Sequence, residues 1–298
     1  MNSFATIAEC LNTRPDEYRY LLIDPLKPVM SWNPLHPDCL TEKKGPDFLR
    51  RVLRPDLAWS PEHCPLLVLL ASPGENCDKR IIEESEQYAL GELLYEKRYV
   101  CGWMSALLTP EEMAKWLVEL CKKIRPGAIV PVFEPLRLEL LGGAVDPAQF
   151  ATLLAPLSQW IFLSVTGERR VLSGSIEGKE WQLNWGAEQA LDNIRDIWRL
   201  LSAWSHSSES LPPDAARQAE KAWKLSGKVG LNHLSDRLLL ALDSLTLPTS
   251  VTTHSDMKVL LQKVASNPNL HLTQLMKTLP KTVWQEQHSP EAKTEGIL

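Results

Sequence analysis

Apolar positions along this chain follow two rhythms. In the first part, short and nearly unbroken apolar runs alternate with amphipathic stretches. Tyr18-Arg-Tyr-Leu-Leu-Ile-Asp24 and Leu66-Leu-Val-Leu-Leu-Ala71 read as buried strands, closed by Pro25 and Pro28 and by Ser72-Pro-Gly74. Val100 to Leu107 and Ala128 to Phe133 read as two more. Trp160 to Val165 and Arg169 to Ser173 read as a hairpin across Thr166-Gly-Glu168, and Trp181 to Trp185 as a further strand. Helical spacing marks residues 3 to 12, with Phe4, Ile7, Ala8 and Leu11 on one face, and residues 78 to 97. Residues 29 to 60, broken by prolines at 34, 37, 46 and 55, read as irregular.

The clearest helix signal begins at Thr109. Thr109 is the N-cap, Pro110 takes the first helical position and Glu112 completes a capping box. Met113, Trp116, Leu117, Leu120, Cys121 and Ile124 then share a face, and Pro126-Gly127 stops the helix. Pro135 to Leu141 reads as a short helix with Glu134 near its N-cap and Gly142-Gly143 as its break. Asp146-Pro147 opens another.

After Gly186 the rhythm becomes helical throughout, over 187 to 204, 212 to 227, 231 to 245, 255 to 266 and 271 to 287, with a loop at Ser205 to Pro213. The expected architecture is an α/β (α+β) lobe with a mixed sheet over residues 1–186 and an all-helical lobe over 187–288. A flexible tail is expected over 289–298.

Composition narrows the function classes. The 298 residues carry a formal net charge of −5, and no long Lys/Arg run occurs. Nucleic-acid and membrane-surface binding are disfavoured on that ground. Residues 1 to 10 lack the basic and apolar regions of a secretory signal, and no apolar run nears the ~20 residues that span a bilayer. Cys10, Cys39, Cys64, Cys77, Cys101 and Cys121 form no CxxC pair and have no His at zinc spacing, which reads as reduced thiols in a cytoplasmic protein. The chain holds 11 Trp against 5 Phe and 5 Tyr. Core packing accounts for most of them, and an interface role is open to several.

Catalytic patterns are sparse. There is no GxGxxG, no Walker A sequence and no GxSxG elbow, and the seven histidines never fall at HxxxH spacing. No catalytic residue, metal site or cofactor is assigned. Asp24 and Glu134 both follow predicted strands, so an acid/base pair at one end of the sheet is the enzymatic alternative. Asp146 and Glu139 are weaker members of the same set. Against it, Asp24 precedes a proline turn, Glu134 and Asp146 sit at helix starts, and Glu139 is expected on a helix surface. Glu134 and Arg137, three apart at a helix start, are expected to pair, either pinning the junction or, if exposed, positioning a partner.

The order of segments resembles the adaptor-chaperones of bacterial type VI secretion, the Tap/TEC family of effector-loading proteins. Tyr20-Leu-Leu-Ile-Asp-Pro25, Cys64-Pro-Leu-Leu-Val-Leu-Leu70 and Gly102-Trp-Met-Ser105 with the helix from Thr109 correspond in order to that family's segments. Its strongest mark is a strand entering an aromatic, an acid, Pro and Arg before a Leu-rich helix, here Val132-Phe-Glu-Pro-Leu-Arg-Leu-Glu-Leu-Leu141, followed by Gln159-Trp-Ile-Phe162. Val132 stands where the family has Arg, Glu134 where it has Asp, and Leu136 intervenes before Arg137. The resemblance spans most of residues 15 to 175 and is weaker around Leu231 to Leu245. It implies a non-catalytic cytoplasmic protein that binds a secreted toxin effector and loads it onto the VgrG spike. The expected partner-binding residues are Phe133, Glu134, Arg137 and Trp160. An immunity-type inhibitor scaffold is a further alternative.

Overall fold

The computed structural model describes residues 6–247 and 254–278. The expected tail at 289–298, the N-terminal end of the first helix and the end of the last one lie outside them. The chain divides into two compact units, Met1–Asp192 and Asn193–Leu298. Position 186, where the composition changes, lies within a helix of the first unit.

The first unit is built on a six-stranded sheet in the order β2-β3-β1-β4-β5-β6. Its strands are β1 (Tyr18–Ile23), β2 (Leu49–Arg51), β3 (Leu66–Ala71), β4 (Val100–Ala106), β5 (Gln159–Leu163) and β6 (Arg169–Leu172). Every neighbouring pair is antiparallel, so the unit is α+β and the expected mixed sheet is corrected. Unbroken apolar strands are the mark of a sheet covered on both faces, which is commonest in parallel sheets. Here helices cover both faces of an antiparallel one.

On one face Tyr20, Leu22, Leu67, Met104, Trp160 and Phe162 form a core with the helices α4 (Pro110–Lys123), α5 (Pro135–Ala144), α6 (Pro147–Leu154) and α7 (Trp185–Asp192). On the other, Leu21, Ile23, Val68, Leu70, Trp103 and Ile161 pack with α1 (Ile7–Asn12), α2 (Pro37–Lys44) and α3 (Lys79–Leu90). A bulge keeps β4 in phase with both cores. Leu22 faces Gly102 and Ile23 faces Val100, leaving Cys101 as the extra residue. Gly102 has φ 139°, and a Cβ there would lie 2.5 Å from the Ile161 carbonyl oxygen and 2.7 Å from Trp160 Nε1. The bulge therefore needs glycine both for its backbone and for the room that Trp160 occupies.

Several expectations change. Ala128 to Phe133 is not a strand: Val130 donates its N–H to the Cys121 carbonyl at the end of α4, 3.0 Å away, so the run docks on a helix. Trp181 to Trp185 is not a strand either. Gly142 and Gly143 lie inside α5, which continues to Ala144. The helix expected over 78 to 97 stops at Leu90, and the irregular region contains α2 and the edge strand β2. The stretch 187 to 204 is split between α7 and α8 (Ile194–Ser207).

The second unit continues with α9 (Ala215–Gly227), α10 (Leu234–Thr246), α11 (Ser255–Ser266) and α12 (Leu272–Leu275). Leu231, Leu240, Met257, Leu260, Leu261, Val264, Leu272 and Met276 form one of its cores. The Arg237 guanidinium lies 4.0 Å from the ring centre of Trp223. Among the described residues no helix is long and apolar enough to cross a membrane.

Candidate functional site

Antiparallel pairing brings one set of strand ends together. Ile23 at the end of β1 faces Leu66 at the start of β3 and Val100 at the start of β4, and Arg51 at the end of β2 also faces Leu66. Residues that follow β1, β2 and β5 or precede β3 and β4 therefore share one end of the sheet. The sequence places charged residues at or near three of these five positions: Asp24 after β1, Arg54 after β2 and Arg98 before β4.

Asp24 follows β1 and is 1% exposed. Its N–H donates to the Tyr99 carbonyl at 2.7 Å, and its Oδ1 accepts the Leu26 N–H at 3.1 Å, closing the turn through Pro25. Burial drives its pKa up to about 6, with the nearby Glu134 charge adding to the rise and the Leu26 N–H, Lys97 and Arg54 opposing it. Lys27, three residues on, donates to Glu92 Oε2 at 2.5 Å and lies 3.9 Å from the ring centre of Tyr95. Glu92 is also buried and accepts the Val100 N–H at 2.8 Å, so it caps the first backbone donor of β4.

Arg98 precedes β4 and is buried, donating to the Leu163 and Leu93 carbonyls at 2.6 and 2.5 Å. Burial lowers its pKa to about 10 against the opposing pull of Glu139 and Glu92. Glu139, on α5, accepts the Val165 N–H at 3.3 Å. Glu139 is half-buried and not the fully solvated helix-surface residue expected: its carboxylate bonds the segment just after β5, and burial raises its pKa.

Glu134 and Arg137 form the expected pair at 2.5 Å, with side chains only 12% and 19% exposed. Arg137 also reaches the Pro131 carbonyl at 3.4 Å. Glu134 is the N-cap residue of α5, yet its carboxylate bonds Arg137 and not the helix N–H groups. Asp146, in contrast, caps α6 directly through the Ala148 and Gln149 N–H groups. Phe133 and Trp160 are fully buried in the core beneath α4 and α5, so neither ring faces solvent.

Arg54, after β2, belongs to no motif in the sequence. It binds Asp56 through two hydrogen bonds of 3.1 and 2.5 Å, and its guanidinium carbon lies 5.6 Å from the ring centre of Phe133. Its Nη1 is buried without a protein acceptor, near enough to Asp24 to pull that carboxyl's pKa down. Charged loop residues such as Arg54, Glu92 and Arg98 look like solvated punctuation in a sequence. Their burial follows from the strand ends that the topology gathers, and spacing along the chain does not mark it.

The topology places Glu134 near enough to Asp24 for its charge to add to the rise in that carboxyl's pKa. It also surrounds them with a shell of ion pairs and backbone contacts that tie strand ends and loops to α5. Among the described residues no group of three or more His, Cys, Asp or Glu side chains is placed to hold a metal ion. The six cysteines are free thiols and five of them are buried. No family model, no curated protein and no solved structure matches this chain.

Proposed function

We propose that this chain is a cytoplasmic, non-catalytic adaptor-chaperone of type VI secretion, which binds a secreted toxin effector and loads it onto the VgrG spike. The single observation that carries a protein-binding role is where the first unit leaves its large apolar side chains. Trp32 is 78% exposed and Trp59 98%, and Met30 and Leu53 are exposed with them, while its ionisable cluster is turned inward. Large aromatic side chains held in solvent are typical anchors of protein interfaces. The identity of the partners rests on the ordered resemblance running from Tyr20 to Phe162.

In this reading Glu134 and Arg137 hold the loop before α5 in shape, and the buried Phe133 and Trp160 shape the lobe from within. Co-expression with the effector and VgrG proteins encoded beside its gene tests the proposal. A stable 1:1 complex with the effector and a contact with the spike are expected. Failure to bind either overturns the reading. Protection from a co-expressed toxin without an effect on its secretion would instead identify an immunity-type inhibitor.

One observation favours a second reading. A carboxyl with a pKa near 6 beside a second carboxylate is the arrangement used for proton transfer at neutral pH. In a hydrolase built on Asp24 and Glu134, Glu134→Gln would abolish turnover while leaving effector binding intact. The near-complete burial of Asp24 weighs against substrate access in this conformation.

A further inference from the structure

The loop between β2 and β3 has an unusual distribution of side chains. It carries exposed Leu53, Pro55, Asp56, Ala58, Trp59, Pro61, Glu62 and His63, and its one cation, Arg54, is buried. The indole of Trp59, 98% exposed, rests on nothing within its own fold. A side chain with no internal contacts is not held there by the fold's own packing.

The loop beneath it is firmly tied. Leu57, Ala58, Ser60, His63 and Cys64 each donate a backbone N–H to the residue three before, in successive tight turns that include Pro55–Leu57 and Pro61–His63. At its base Val52 donates to the Pro65 carbonyl at 2.8 Å. Arg51 bonds the carbonyls of Glu62 and Cys64 at 2.7 and 3.0 Å. Arg54 anchors the near side, clasping Asp56 and lying over the ring of Phe133. Prolines at 55 and 61 restrict the backbone further. The indole is therefore presented on a backbone that loses little freedom when it binds.

We propose that this loop is a docking finger, with Trp59 entering an apolar, indole-sized pocket on a folded partner protein whose rim is basic. Charge sets the rim. The carboxylates exposed on the loop lie three residues to either side of the indole: Glu62, beside His63, and Asp56, partly exposed and paired on its inner side with the buried Arg54. Complementary Lys or Arg on the partner would steer the approach. The same charge disfavours an anionic membrane as the occupant. The proposal rests on the adaptor reading and assigns the surface through which it operates.

The test measures binding of the full chain to the neighbour-encoded effector and to VgrG, by titration calorimetry and by association kinetics at two salt concentrations. Trp59→Ala is expected to weaken one of the two complexes ~30-fold or more, as loss of an interface anchor does. Its circular dichroism and melting curve should match wild type, because the indole makes no internal contacts. Glu62→Lys is expected to slow association of the same complex several-fold and to reduce its salt dependence. Wild-type binding that Trp59→Ala leaves unchanged overturns the finger and leaves the adaptor reading standing. If wild type binds neither protein, both fall. A concentration-dependent dimer abolished by Trp59→Ala would assign the loop to a second copy of this chain. Trp59-dependent sedimentation with phosphatidylcholine–phosphatidylglycerol vesicles would assign it to a membrane. Either result overturns the proposal.

Discussion

The guanidinium of Arg54 lies over the ring of Phe133, 5.6 Å from its centre, and this contact joins the loop after β2 to the junction that opens α5. The two segments are far apart in sequence: Arg54 follows β2, and Phe133 follows α4, on whose end the run before it docks. Arg54 also lowers the cost of the buried Asp24 charge. Arg54→Ala removes the Asp56 clasp, the cation–π contact with Phe133 and the cation near Asp24. Breaking a buried ion pair typically costs about 3–5 kcal/mol. Asp56 is itself partly exposed and can hydrate, so a loss of about 2 kcal/mol is expected in urea denaturation. Arg54→Lys should recover little, because a single ammonium cannot reproduce the two-pronged bond to Asp56. Wild-type stability in Arg54→Ala would refute this account.

Glycine positions give a contrasting pair. A Cβ at Gly102 would sit 2.5 Å from the Ile161 carbonyl oxygen, at a backbone angle that side chains rarely adopt. Gly102→Ala should push Trp160 out of place and cost about 3 kcal/mol or more, the range of severe core overpacking. Gly143 lies in α5, is exposed, and a Cβ there meets nothing within 4 Å. Gly143→Ala should raise stability by about 0.5–1 kcal/mol, the helix-propensity difference between the two residues. Thermal melts of the two variants should move in opposite directions.

Much of this fold is legible in the sequence. β1 and β3 follow from their unbroken apolar runs, and α4 from its capping box, found intact with Thr109 accepting the Glu112 N–H. Strand direction was not legible, because Leu66-Leu-Val-Leu-Leu-Ala71 looks alike in a parallel sheet and in an antiparallel one covered by helices on both faces. Ala128 to Phe133 has strand composition, but Pro131 interrupts its donors and its backbone bonds the end of α4 instead of a strand. At the candidate site the Glu134–Arg137 pair follows from spacing. Arg54, Glu92 and Arg98 do not, since their burial depends on which strand ends the topology gathers. The exposed Trp59 had only a faint signal, an aromatic residue between Pro55 and Pro61 with no periodic partner to cover it.

The cysteines should divide sharply by reactivity. Burial raises the pKa of Cys10, Cys77 and Cys101, and that of Cys121 to about 11, which suppresses the reactive thiolate. Cys39 alone is not fully buried, and its thiol donates to the Ser31 carbonyl at 3.2 Å. Titration with a thiol reagent should label one cysteine quickly in the native protein and all six in denaturant. Cys39→Ser should remove the fast phase. Rapid native labelling of several thiols would contradict the burial described here.

The elevated Asp24 pKa also fixes the sign of a pH effect. Its folded value of about 6 lies above the unfolded value of 3.8, so between them the native state binds more protons than the unfolded state. Stability from this group is complete below about pH 4 and is lost as pH rises through 6. Asp243 in the second unit, raised by burial to about 6, acts in the same direction. Asn at position 24 keeps an acceptor for the Leu26 N–H but carries no charge to desolvate. Asp24→Asn should therefore stabilise the protein at pH 7.5 by about 1–2 kcal/mol, less than the full conversion of the pKa shift, because the buried Asn amide brings N–H donors that must themselves find partners. At pH 3, where Asp24 is protonated in the folded and unfolded states alike, the variant and wild type should unfold at nearly the same urea concentration. A variant less stable than wild type at pH 7.5 would mean that the cations around Asp24 outweigh its burial, reversing the ranking of forces at this end of the sheet.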